Sequence, residues 1–248
     1  RDLVRSRGLG DVYKRQVDER IVGHKPRSLD NASAAALPLT SITAWELLFD
    51  RLGVEENGGK QQSLLVVGAA GGVGSILVQL ARKLTQLTVI GTASRPETQA
   101  WVQQAGAHHV IDHSESIPLQ LEALKLGPVD YVISLTHTDT YLAQLVEVLR
   151  PQGKLALIDD PAQLDVMPLK RKSLSLHWEL MFTRSLYQTE DMIKQHQLLE
   201  RVSRLVDDGT LKTTLGEHYG TINAEHLKRA HAMIESGKAR GKIVLEGF

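Results

Sequence analysis

The sequence predicts an α/β fold: one parallel sheet of six strands, covered by helices on both faces. Three observations carry this. Six short apolar runs follow Gln62, at residues 63–67, 87–92, 108–112, 129–135, 154–159 and 173–178. Helical patterns at 74–84, 96–105, 116–126 and 139–149 separate most of them, and strands alternating with helices argue for a parallel sheet buried on both sides. Between the first strand and the first of these helices lies a glycine-rich turn, Gly68–Gly74.

Val17–Pro38 precedes a helical pattern at about 39–51, which leads into the first strand, Ser63–Val67. After the turn, Val73, Ile76, Leu77, Leu80, Ala81 and Leu84 fall on one helical face, with Ser75, Gln79, Arg82 and Lys83 off that stripe. The link Asp160–Lys172 carries two prolines and reads as irregular; Lys170–Arg171–Lys172 reads as a solvated turn. Beyond Trp178, Thr189 is placed to cap a helix whose first turn holds Glu190 and Asp191, and whose apolar face runs from Ile193 to Val206. A further helix at about 224–236 and a short strand, Lys242–Glu246, close the chain.

A strand, a glycine turn and a helix N-terminus together form an anion site. The first-turn N–H groups lack helical partners, and the aligned peptide dipoles place about half a positive charge there. A dinucleotide pyrophosphate is the usual guest. Aligned on Gly74 as the third glycine of the G-x-G-x-x-G spacing, Gly71 is the second and Ala69 takes the first position, with Gly68 just before it. Gly71, Gly72, Val73 and Gly74 are the predicted pyrophosphate contacts. At the exit of the second strand, where an NAD site usually places Asp or Glu, stand Ser94 and Arg95. A hydroxyl and a guanidinium suit a 2′-phosphate, so NADPH is the expected coenzyme. In the competing reading, Arg95 is solvated and Glu97 grips the ribose.

Bulk properties narrow the field. Residues 1–16 (RDLVRSRGLGDVYKRQ) fit none of these patterns and resemble a translated sequencing adapter, so they are set apart from the fold. The remaining 232 residues carry 24 basic and 27 acidic side chains, a net charge of −3 with neutral histidine. That gives no footprint for nucleic acid or anionic membrane. No apolar stretch reads as long enough to span a bilayer. With no cysteine, neither disulfides nor thiolate zinc sites form within the chain; that establishes no compartment, and the cytoplasm is expected as the default for a nicotinamide-linked reductase. The adjacent His108–His109 point to opposite sides of a strand, and the other histidines show no ligand spacing, so no metal site is predicted.

Five segments, in this order and spacing, resemble the medium-chain dehydrogenase/reductase family. They are AAALPLTSITAWELL (34–48), VVGAAGGVGSILVQLAR (66–82), GAHHVIDH (106–113), LRPQGKLALI (149–158) and SGKARGKIVLEGF (236–248). The resemblance is to the zinc-free, quinone-oxidoreductase-like branch, often labelled zinc-type alcohol dehydrogenase-like. It implies a Rossmann, doubly wound domain at 39–208. It also implies remnants of a GroES-like catalytic domain, with residues 17–38 its tail and 209–248 the C-terminal return. Most of that catalytic half would lie outside this chain, leaving it inactive alone. The resemblance places Leu39 where alcohol dehydrogenases carry a cysteine zinc ligand, and leucine cannot coordinate zinc. It places Thr43 near the nicotinamide, His113 beside the adenosine phosphate, and Leu135 and Thr136 along the ribose–nicotinamide channel.

The implied activity is hydride transfer from NADPH to a quinone or an α,β-unsaturated carbonyl. The alternatives are a non-catalytic NADPH-binding module and a zinc-free, NAD-linked alcohol dehydrogenase. No catalytic acid is identified. The last strand, 173–178, is an exposed edge in the family, which implies a homodimer.

Overall fold

The computed structural model describes residues 17–247; residues 1–16, read above as adapter-derived, and Phe248 lie outside the described residues. The sheet is as expected: six parallel strands in the order β3-β2-β1-β4-β5-β6. They are β1 (Ser63–Val67), β2 (Thr88–Thr92), β3 (His109–Ile111), β4 (Val129–Ser134), β5 (Leu149–Leu157) and β6 (Ser175–Trp178). The helices are α1 (Asn31–Ala35), α2 (Pro38–Trp45), α3 (Gly72–Leu84), α4 (Pro96–Gln104), α5 (Ile117–Ala123), α6 (Thr138–Val148), α7 (Thr183–Tyr187), α8 (Ile193–Asp207) and α9 (Ala224–Glu235).

β1 shows why both faces of the sheet must be covered. Its side chains alternate between faces. Leu64 and Val66 join a core with Leu47, Leu77 of α3 and Val202 of α8; Leu65 and Val67 join a second core with Leu121 of α5 and Leu145 of α6. All four β1 residues are at most 1% exposed. Burying each such side chain is worth about 1.5–3 kcal/mol. Strand order reverses between β1 and β4, so a crevice opens at their C-terminal ends.

The structure corrects several local readings. Ser75 and Gln79, off the apolar stripe of α3, are nevertheless buried. Ser75 accepts from the Trp101 indole N–H at 2.8 Å, and Gln79 exchanges two hydrogen bonds with the Lys212 backbone. β5 begins at Leu149, not 154, because a register break between the Val129–Leu149 and Tyr131–Lys154 pairs accommodates Pro151. Thr189 does not cap α8: that helix starts at Ile193, and the Thr189 hydroxyl instead donates to Asp191. The link Asp160–Lys172 ends in a 3₁₀ turn, Met167–Lys172. Lys172 is not simply solvated, since its ammonium donates to the carbonyls of Val146, Glu147 and Leu149 at the end of α6.

α7 and the strand β7 (Leu215–His218) have too few residues to show a period. β7 pairs in parallel with β8 (Lys242–Val244) in a separate two-stranded sheet. α2 continues into a wider π-helical turn, Glu46–Arg51. The helical run Asn31–Arg51, 21 residues, is long and apolar enough to cross a bilayer by length and composition, contrary to the sequence reading. Its most apolar window is 67% buried in the protein, as in a core helix.

Candidate functional site

The β1–α3 turn has the geometry an anion needs. Gly68 sits at φ +78°, so the left-handed residue of the turn is Gly68; Ala69, aligned above on the first glycine, needs no such freedom. A Cβ on Gly74 would lie 2.5 Å from the Gly68 carbonyl oxygen and 2.6 Å from Ala69 backbone, which accounts for the third glycine. α3 then begins with Gly71 as a cap that has no side chain. The first intrahelical bond runs from Ser75 N–H to the Gly71 carbonyl at 2.9 Å, so the N–H groups of Gly72, Val73 and Gly74 are left without helical partners.

These groups open into a cleft of about 450 Å³ at the C-terminal ends of β1, β2 and β4. Nine of the ten predicted cofactor contacts line it: Gly71, Gly72, Val73, Gly74, Ser94, Arg95, His113, Leu135 and Thr136. Thr43 does not. It is buried in α2, its hydroxyl donating to the Leu39 carbonyl at 3.1 Å. Thr40, one turn earlier, is the α2 residue whose methyl comes against Gly72.

Arg95 caps α4 at the mouth of the cleft. Its Nε lies 2.9 Å from Glu97 Oε1, and its Nη2 donates to the Lys238 carbonyl at 2.7 Å. Glu97 is therefore paired with Arg95 and is not among the cleft-lining residues. His113 is half-buried, set edge-on to the Tyr141 ring at 6.1 Å. Burial pushes its pKa below the usual histidine value, against the pull of Asp112, which keeps the ring neutral near pH 7. Its Nδ1 is buried and without a hydrogen-bond partner. An orphaned ring nitrogen, three free helix N–H groups and a nearby arginine fit a dinucleotide. The His108–His109 pair is structural on one side, since His108 Nδ1 accepts from the Val89 backbone N–H at 2.9 Å.

The sequence reading missed the C-terminal arm of the site. Gly237 and Ala239 line the cleft, and Gly241 N–H donates to the Ala70 carbonyl at 2.8 Å, tying the arm to the turn. The Lys242 side chain passes over Gly72: its Cδ lies 2.9 Å from where a Cβ on Gly72 would stand. The segment SGKARGK carried the signal in its two glycines and its cations, but nothing local says that it folds back over residue 72. Tyr141 and His137 were missed as well. His137 holds a left-handed φ of 51° ahead of α6, with its Nδ1 2.6 Å from the Thr136 hydroxyl. Lys242→Ala is expected to weaken coenzyme binding by about 1–2 kcal/mol, roughly five- to thirtyfold. Titration at two ionic strengths checks it, with the loss smaller at high salt.

Among the described residues no group of three or more His, Asp or Glu is gathered to hold a metal ion. Leu39, at the ligand position implied above, is an exposed leucine (46%).

A six-stranded parallel sheet with a glycine turn at its switch point defines a doubly wound, nucleotide-binding α/β scaffold. Comparisons with known proteins specify it further. Residues 105–245 match the family described as zinc-binding dehydrogenase. A zinc-type alcohol dehydrogenase-like protein of Staphylococcus aureus (strain MSSA476) is 35% identical over 232 residues, covering 92% of this chain and 69% of that protein. The crystal structure of a candidate zinc-dependent alcohol dehydrogenase from Rhizobium etli CFN 42 superposes with a TM-score of 0.90 at 59% identity, covering 94% of this chain and 68% of that one. A mycobacterial protein solved in complex with NADPH superposes with a TM-score of 0.75 at 25% identity, covering 90% of this chain and 66% of that one. The chain belongs to the medium-chain dehydrogenase/reductase family of oxidoreductases.

Proposed function

We propose that the protein is an NADPH-dependent oxidoreductase that passes hydride to a quinone or an α,β-unsaturated carbonyl without zinc. The observation that carries this reading is the pairing of the free N–H groups at Gly72–Gly74 with Arg95 at the exit of β2, in one cleft. When bound, the coenzyme supplies the hydride at its nicotinamide C4. The chain's residues bind and orient. The turn and Lys242 take the pyrophosphate, and Ser94 and Arg95 the 2′-phosphate. His113 and Tyr141 flank the adenosine side, and Leu135, Thr136 and Ile158 wall the inner end of the cleft. The family's zinc-type label does not alter this, because the Leu39 side chain offers no donor atom. NADPH oxidation by the full-length protein against a panel of quinones and enones, set beside reduction of NAD+ or NADP+ in the presence of simple alcohols, tests the reading. Turnover with the first two classes is expected. Turnover with alcohols and NAD instead would overturn it.

We also propose that β6 pairs with its counterpart in a second copy. It is one of the two edges of the sheet, and Trp178, Leu180 and Phe182 at its end are half-exposed. Sedimentation velocity of the full-length protein should show a dimer; a single monomer boundary at micromolar concentration rejects it.

A further inference from the structure

A buried ionic cluster beneath the exit of β6 takes no part in coenzyme binding. Glu46 in the π-helical turn is 1% exposed, Glu179 just after β6 is 4%, and Arg184 in α7 is 6%. Arg184 donates to Glu46, and its Nη2 also reaches Asp50 and Asp191, each at 2.9 Å. Arg51 Nε donates to Glu179 Oε2 at 2.6 Å, and its Nη2 stands 4.0 Å from Glu46 Oε2. Lys194 stands at the rim, 3.7 Å from Asp191, and His177 and Lys154 lie on the Arg51 side. Four carboxyl groups therefore meet two guanidinium groups, with Glu46, Glu179 and Arg184 buried and Asp50, Asp191 and Arg51 reaching toward solvent.

One atom is left over. Glu179 Oε1 is buried without a hydrogen-bond partner, and Arg51 draws the two buried glutamates together, since its guanidinium faces Oε2 of both. Two ionised carboxylates offer only acceptors to each other, whereas one proton between them makes a donor. We propose that Glu46 and Glu179 share a single proton, and that this proton fastens the exit of edge strand β6 to the end of α2. With it, the orphaned oxygen gains a partner and the cluster carries one negative charge fewer. Without it, two like charges face each other in a medium that screens them poorly.

Burial, then the neighbouring Glu179, pushes the Glu46 pKa up to about 8, against the pull of Arg184. Such a group binds its proton more tightly in the folded state than in the unfolded one. Its contribution to stability is complete below the ordinary value of 4.5, declines as pH rises, and is gone once pH passes through about 8. The fastened segment carries Trp178, Leu180 and Phe182, so the shape of the sheet edge follows the proton. This holds whether or not the edge pairs with a second copy.

The test is a pH series on the whole protein between about pH 6 and pH 9.5, reading thermal unfolding and tryptophan fluorescence. Trp45 and Trp178 each adjoin one member of the pair. The wild type should lose melting temperature from pH 6 upward and level off above about 8, and its native-state fluorescence should change with a midpoint near 8. Glu46→Gln keeps a donor toward Glu179 and should flatten both curves. A wild type without that midpoint, or a Glu46→Gln variant that retains it, overturns the proposal. Should Glu46→Gln fail to fold, ¹³C-detected titration of the wild-type glutamate carboxyls still decides. One glutamate titrating near 8 supports the shared proton, and none above the ordinary range removes it.

Discussion

Gly71→Ala is expected to leave the protein folded and to abolish useful coenzyme affinity. A Cβ at this position meets only the Gly68 carbonyl oxygen, at 3.5 Å, an ordinary contact, and its φ of −72° suits any residue. Replacing a glycine cap with alanine costs at most about 1 kcal/mol. The added methyl instead occupies the space through which a phosphate reaches the N–H groups of Gly72, Val73 and Gly74. Each charge-assisted bond to those groups is worth about 1.5–3 kcal/mol, so losing even two weakens binding by more than about a hundredfold. Gly74→Ala should fail in the opposite manner. Its methyl would strike backbone 2.5–2.6 Å away, so overpacking of about 1–3 kcal/mol falls on the fold itself. Melting temperature and coenzyme titration of the two variants separate the roles. If Gly71→Ala binds like wild type, the turn does not hold a phosphate.

The contrast between these glycines shows what was legible in the sequence. The sheet was readable because its strands are contiguous apolar runs and α3 repeats its apolar residues at helical spacing; both are local patterns. The glycine turn was readable because Gly68 and Gly74 meet requirements set within seven residues. The C-terminal arm was not. Lys242 reaches Gly72 across 170 positions of chain, brought there by the β7–β8 pairing and by the hydrogen bond from Gly241 to Ala70, neither of which leaves a periodic trace. The ionic cluster was unreadable for the same reason. Glu46, Glu179 and Arg184 each look like surface residues in their own segments, and only the packing of α7 against the π-helical turn buries them together. Thr43 marks the limit of resemblance. Its side chain turns inward to the Leu39 carbonyl, and Thr40 takes the place beside the turn.

Arg95→Gln is expected to erase the preference for NADPH over NADH that we propose for this site. The Arg95 guanidinium already spends two of its five N–H donors, one with Glu97 and one on the Lys238 carbonyl. Three remain for a phosphate, enough for a forked contact, and the existing bonds hold the group in place so that little rotamer freedom is lost on binding. Removing the charge and the fork should weaken NADPH binding by about 1.5–3 kcal/mol, roughly ten- to a hundredfold. NADH, which lacks the 2′-phosphate, should change little. Glu97 sharpens the test because its carboxylate opposes the same phosphate while it steadies the arginine. If repulsion outweighs steadying, Glu97→Gln should raise NADPH affinity a few-fold and leave NADH unchanged. If Glu97 instead grips the ribose hydroxyls, as in the competing reading, Glu97→Gln should weaken NADH and leave Arg95→Gln without effect on the ratio. Dissociation constants for both coenzymes on the three proteins distinguish the two arrangements, because Glu97→Gln moves only NADPH in the first and weakens NADH in the second.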